Sequence, residues 1–123
     1  MRYVAVTNAT RGRVLGTRVA VADRWWSRAR GLLGRTPLMD GEGLFLAPCR
    51  GVHMWGMRFA LDVAFVDAYG AVVALYHGLR PGRRSRWHRE AHAALEFPAG
   101  TLAATGTSEG DALDWTLSVA EAA

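Results

Sequence analysis

The chain has 123 residues, half of them apolar and 21% charged, which excludes a disordered chain and leaves room for one core but not for two domains. Its 15 basic residues, all arginine, exceed its 11 acidic residues by four, a modest surplus for a nucleic-acid binder. A single cysteine, Cys49, excludes an internal disulfide.

Residues 1–123 are therefore expected to form a single domain that folds without metal or crosslink. Arg2 to Val6 and Arg13 to Val21 read as strands joined by the turn-rich run Asn8-Ala9-Thr10-Arg11-Gly12. In the second of these, Leu15, Thr17, Val19 and Val21 share one face. The spacing predicts a helix over Arg24 to Leu33. Asp23 can cap its start and Gly34 suits its end, while Trp25, Trp26, Ala29, Leu32 and Leu33 form one apolar stripe. Beyond it the pattern is of strands: Leu44 to Ala47, Arg58 to Asp67 and, after the turn Asp67-Ala68-Tyr69-Gly70, Ala71 to Tyr76. His92 to Phe97 is a strand ending at Pro98, Thr101 to Thr105 a short one, and Ala112 to Leu117 alternates cleanly. Many short strands and one helix predict a mainly β protein, an antiparallel jelly-roll-like sandwich or barrel with one α-helix.

The most apolar stretch, Ala60 to Tyr76, is broken by Asp62, Asp67 and Gly70, so it reads as a hairpin and not as a membrane span. The N-terminus shows no long apolar region before a cleavage site, and a lone thiol suits a reducing compartment. The expectation is a cytoplasmic protein with no membrane partner.

Six motifs follow one another in a specific order. Arg30-Gly31-Leu32-Leu33-Gly34-Arg35 precedes Gly41-Glu42-Gly43-Leu44-Phe45-Leu46. Next come Cys49-Arg50-Gly51-Val52-His53-Met54-Trp55-Gly56-Met57-Arg58 and Leu61-Asp62-Val63-Ala64-Phe65-Val66-Asp67. Leu95-Glu96-Phe97-Pro98-Ala99-Gly100 and the pair Gly110-Asp111 close the series. Over most of its length the chain thus resembles the uncharacterised prokaryotic domain of unknown function family numbered 192, in its branch with Cys-x-x-x-His. Met54-Trp55 stands where that pattern has Thr-Phe or Thr-Trp. The resemblance implies a jelly-roll-like β fold with one helix, and no activity. Many members carry export signals, which are not seen here.

Three groups of residues could carry chemistry. Cys49, His53 and Met57 are soft ligand types suited to copper, and Cys49 with His53 could also serve as nucleophile and base. Four residues along a straight strand span roughly 13 Å, however, so only a bend at Gly51 or Gly56 would unite them. A buried thiol and a core methionine are the plainer reading, with no metal and no cofactor expected. Asp62 and Glu96 lie in apolar strands, where a bare carboxylate is costly. They could form an acid–base pair or tie down loops, and Arg58, His53 and the Gly51 to Gly56 loop are the nearest partners for Asp62. Cys49, His53, Met57, Arg58, Asp62 and Glu96 are the candidate pocket.

The third group is Arg80 to Arg89, five arginines and Trp87 in ten residues. Arg83, Arg84, Arg86, Trp87 and Arg89 could hold a polyanion, with the indole stacking on a base. A solvated loop is the default, and nucleic acid is disfavoured by the overall charge. The leading expectation is a non-enzymatic accessory or binding module holding a small ligand or protein partner near residues 49–62. The alternatives are a metal or acid–base site and polyanion binding at the arginine-rich loop.

Overall fold

A computed structural model describes residues 2–22 and 37–117. The helix expected over Arg24 to Leu33 lies outside these residues. Strands β1 (Arg2–Asn8), β2 (Arg13–Ala22), β3 (Glu42–Leu46), β4 (Leu61–Val66), β5 (Val72–Leu79), β6 (Ala93–Pro98) and β7 (Leu113–Leu117) form one sheet in the order β5-β4-β6-β3-β2-β1-β7. The sheet curls into a half-barrel, so the mainly β architecture is as expected. Five of the six neighbouring pairs are antiparallel, whereas β2 and β3 run parallel.

The two outermost strands approach each other at one end. Ala71 bridges Ala112, Val72 donates its N–H to Asp111 O at 2.9 Å, and Leu113 donates to Gly70 O at 2.9 Å. Gly70 makes this closure possible: it has φ of 89°, and a Cβ there would lie 2.5 Å from Leu113 O.

Period-2 alternation divides the side chains between two faces. Val4, Val6, Leu15, Val19, Phe45, Ala64, Val66, Leu95 and Phe97 cluster with Val72 and Leu113. A cluster that reaches both outermost strands of a curled sheet occupies the concave side. Leu44, Leu46, Val63, Phe65 and Ala94 pack on the convex side, which Val52 and Ala91 from connecting segments help to cover. Buried on both faces, β4 reads as a continuous apolar run around one carboxylate.

Thr101–Thr105 corrects one expectation, for it forms the short helix α1 and not a strand. Gly100 enters it with φ of 99°, and Leu102 turns into the concave core. Asp62 Oδ2 accepts the N–H of Gly100 at 3.0 Å and of Leu102 at 2.9 Å, capping the turn from 40 residues away.

Candidate functional site

Strand directions explain how two distant stretches of sequence become neighbours. Strands β3 and β4 are both antiparallel to β6, and β5 is antiparallel to β4. Each of the connections β3–β4 and β5–β6 therefore joins parallel strands and must run the length of the sheet. They do so in opposite directions. On the convex side they pair as an irregular antiparallel ribbon: Cys49 N donates to His92 O (3.0 Å), His88 N to Arg50 O (2.8 Å), Ser85 N to Val52 O (2.9 Å) and Met54 N to Arg83 O (2.7 Å). His53 and Arg84 form a bridge, and Ser85 Oγ accepts the Val52 N–H at 2.9 Å.

The ribbon is pinned from both sides. Val52 and Met54 are buried against the sheet and its end, which turns His53 and Trp55 outward. Tyr76 of β5 accepts the Arg86 N–H at 3.0 Å, and its hydroxyl lies 2.7 Å from His88 Nε2. Both contacts are satisfied when the phenol proton points to Nε2 and the neutral imidazole carries its own proton on Nδ1. The His88 ring also rests 4.7 Å from that of Phe65.

The outward side carries a groove of about 660 Å³ lined by Gly51, Val52, His53, Trp55, Arg84, Ser85, Arg86 and Trp87, a volume typical of ligand clefts. Trp55 and Trp87 are 68% and 70% exposed, unlike Trp115, which stacks edge-on against Phe45 at 4.9 Å. The rings of His53 and Trp55 are 5.3 Å apart. A Cβ at Gly51 would come within 3.3 Å of Trp87 Cε3, so the missing side chain lets the indole lie close to the ribbon. Trp87 also walls a second cleft of about 280 Å³, with Pro48, Cys49, Arg50, Ala91 and His92.

The charge of the molecule is concentrated here. Residues 49–58 and 80–92 contain seven arginines and one acidic residue, Glu90, for a net charge of +6, and the remainder of the chain is at −2. All seven arginines are exposed, and none is ion-paired among the described residues, where Arg11–Asp111 is the only salt bridge. Within the described residues, no ion pair offsets this local excess of positive charge.

The structure merges two candidate sites and divides one. His53 from the first group joins Arg84, Arg86 and Trp87 from the second in one groove. Arg83 and Arg89 are exposed on the same ribbon, as is Arg58 just beyond it. The first group otherwise separates. Cys49, a free thiol, lines the second cleft and directs Sγ at Gly51 O at 3.2 Å. Met57 is buried with Leu38, Met54 and Leu61. Asp62 and Glu96 are each 1% exposed but lie on opposite faces of the sheet: Asp62 pairs in register with Phe97, and Glu96 with Val63. As an acid–base pair they are excluded by this alternation. Among the described residues, no three of His, Cys, Asp and Glu gather as metal ligands would.

Asp62 is buried and hydrogen-bonded, although not to Arg58, His53 or the 51–56 loop. Its third bond is from Gly78 N to Oδ1 at 2.8 Å, at a bulge where the β4–β5 register slips between Leu61 and Val63. Its partners are backbone donors of a bulge and a helix start, so its role is to hold the concave side together. Asp111 has a similar task. It accepts from Arg11 Nε (3.0 Å), Asn8 Nδ2 (3.0 Å) and Ser108 N (2.9 Å), and these bonds, led by that of Arg11, hold its pKa at about 2. Trp55 is the groove residue that sequence reasoning overlooked. Its one signal was an aromatic residue set between His53 and Gly56, where an outward-facing loop has no core to fill.

Among the described residues, no helix is long and apolar enough to cross a membrane. Comparison with known proteins identifies relatives along nearly the whole chain. A UPF0127 protein of Thermococcus sibiricus is 33% identical over 113 residues, which cover 88% of this chain and 72% of the relative. A crystal structure of a protein of unknown function from Novosphingobium aromaticivorans superposes with a TM-score of 0.75 at 28% identity, covering 92% of this chain and 84% of that one. A structure from Sinorhizobium meliloti, described as a candidate transcription regulator, has a TM-score of 0.73 at 25% identity, with 94% and 96% covered. The model of DUF192, described as "Uncharacterized ACR", matches residues 6–115, and the chain belongs to that family.

Proposed function

We propose that the protein is a non-enzymatic binding module whose ligand is an anion held in the groove between residues 49–57 and 80–92. The observation that carries this reading is a ligand-sized groove rimmed by two exposed tryptophans and two exposed arginines that form no ion pair among the described residues. Exposed aromatic surface of this size is costly to leave in water and marks a place where a partner can cover it, and like charges crowded on one ribbon repel one another until a counter-charge arrives. The buried carboxylates give no support to an acid–base reading, because their bonds or their positions in the sheet belong to the scaffold. The description of the Sinorhizobium meliloti protein as a candidate transcription regulator agrees with an anionic partner. A reducing cytoplasm suits the free thiol of Cys49.

Titration with inorganic polyphosphate at low salt, followed by tryptophan fluorescence and by amide chemical shifts, tests the proposal. Shifts should concentrate at His53, Trp55 and Arg84 to Trp87, and they should vanish when Arg84 and Arg86 are both replaced by Ser. Binding that survives this double replacement, or that maps to Arg2 and Arg13 at the opposite part of the sequence, would refute it.

A further inference from the structure

We infer that the anion is single-stranded nucleic acid, bound with its bases stacked on Trp55 and Trp87 and its phosphates on Arg84, Arg86 and the neighbouring ribbon arginines. The inference rests on the groove's being the anion site proposed above. It goes further because arginines alone would suit any polyanion, whereas the groove also offers flat apolar faces. Trp55 and Trp87 expose about two thirds of their surface each, on the same groove that presents Arg84 and Arg86. An extended ligand that alternates flat rings with negative charges matches both features at once, and a nucleotide chain has that chemistry. A sulfated polysaccharide has the charges without aromatic faces, and an acidic protein segment has few rings and no fixed alternation.

The geometry favours one strand over two. In a duplex the base faces are already stacked on each other, and reading base edges calls for an element that enters a groove. The ribbon here is irregular and lies along the convex side of the sheet, with no projecting helix among the described residues. Its grooves are open clefts, and Trp87 lines two of them, so the indole is reachable from both. The ribbon is also held in advance by Tyr76, His88 and Ser85, which lowers the ordering cost of binding. The path for the phosphates is given by five exposed arginines on the two strands of the ribbon, with Arg58 and Arg80 at its end.

Fluorescence anisotropy with labelled twelve-residue oligo-dT and oligo-U, and with a mixed-sequence duplex of equal length, reads the inference directly. Polyphosphate and heparin serve as unlabelled competitors. The single strands should bind about tenfold or more tighter than the duplex, and comparison of dT with U shows whether the sugar matters. Trp55→Ala and Trp87→Ala should each weaken the single strand by about tenfold while leaving polyphosphate binding nearly unchanged. Trp87→Phe, which keeps a ring over Gly51, should retain most of the affinity and guards against a misfolded alanine variant. Each of Arg84→Ser and Arg86→Ser should reduce the slope of log affinity against log salt by about 0.7. Equal binding of duplex and single strand, or a Trp55→Ala, Trp87→Ala double variant that binds oligonucleotide as the parent does, overturns the inference while the anion site stands. If polyphosphate, heparin and oligonucleotides all fail to bind, the anion site falls with it.

Discussion

The concave side of the half-barrel and the ribbon on its convex side use the same kinds of residue in opposite ways. On the concave side a carboxylate and a tryptophan are absorbed: Asp62 spends its oxygens on three backbone N–H groups, and Trp115 packs on Phe45. On the ribbon, backbone groups are satisfied by the ribbon itself and by Tyr76 and Val66 of the sheet, while Trp55, Trp87 and the arginines are directed at solvent. A polar group in a β protein acquires meaning from what already satisfies it. Burial of Asp62 marks a structural role because every bond it makes ends inside the fold, whereas Trp87 is left 70% exposed by the described fold, which is what the proposed binding role requires.

If that contrast is right, the largest loss of stability should come from Asp62→Ala. It strands the N–H groups of Gly78, Gly100 and Leu102, at about 1–3 kcal/mol each where no water enters, and should lower the urea midpoint accordingly. Asp62→Asn should cost less, since its amide oxygen can still receive Gly100 and Leu102 while one donor goes unmet. A variant as stable as the parent would show that the concave side does not depend on this carboxylate. Gly70→Ala should follow at about 2 kcal/mol, from its left-handed φ and the 2.5 Å approach to Leu113 O, as read by thermal unfolding.

Asp111 sharpens the comparison through pH. Its pKa is held at about 2, below the usual carboxylate value, mainly by hydrogen bonding to Arg11. The unfolded chain therefore binds a proton more readily, so this contribution is complete above the ordinary carboxylate range and is lost as pH falls from about 4 toward 2. Its size is limited because the Arg11 side chain is 45% exposed and screened by solvent. Asp111→Asn should flatten the fall in unfolding midpoint between pH 5 and pH 2 relative to the parent. An unchanged slope would remove Asp111 from the scaffold. The smallest effect should come from replacing Arg83, Arg84 and Arg86 together by Ser. Their side chains are exposed and their backbones keep the ribbon bonds, so the midpoint should move by less than about 0.5 kcal/mol equivalent. A large drop would mean that the ribbon is packed scaffold and not a free binding face.

The strands were legible in the sequence where one local rule decided them. Leu113 and Trp115 alternate inward as expected, although Leu117 at the strand's end is 62% exposed, and β4, apolar apart from Asp62, announces burial on two faces. Thr101–Thr105 was not legible, because the carboxylate that caps it sits 40 residues away in β4 and leaves no local mark. The groove was half legible. Arg84, Arg86, Trp87 and His53 each stood out, yet as members of two separate groups, since the pairing of residues 49–54 with 83–92 follows from sheet order and has no periodicity of its own. The overall charge hid a local concentration for a related reason. A surplus of four looks modest only when averaged over the chain, and averaging conceals a ribbon at +6 on a body at −2.

Strand β1 carries a consequence for how the molecule is made. One of its edges is taken at once by β2 across the Asn8–Arg13 turn, but the other is taken by β7, where Val4 meets Leu117 more than a hundred residues later in the chain. Asn8 likewise finds Thr107 and Asp111 only at that distance. During synthesis the hairpin of β1 and β2 must therefore wait, with a bare edge and with Asn8 Nδ2 still without its partners, until β7 has emerged. Pairing at such separation is slow, and a waiting edge is open to pairing with other chains. The interval between the emergence of the first strands and the last is thus when the free edge of β1 is open to pairing with other chains.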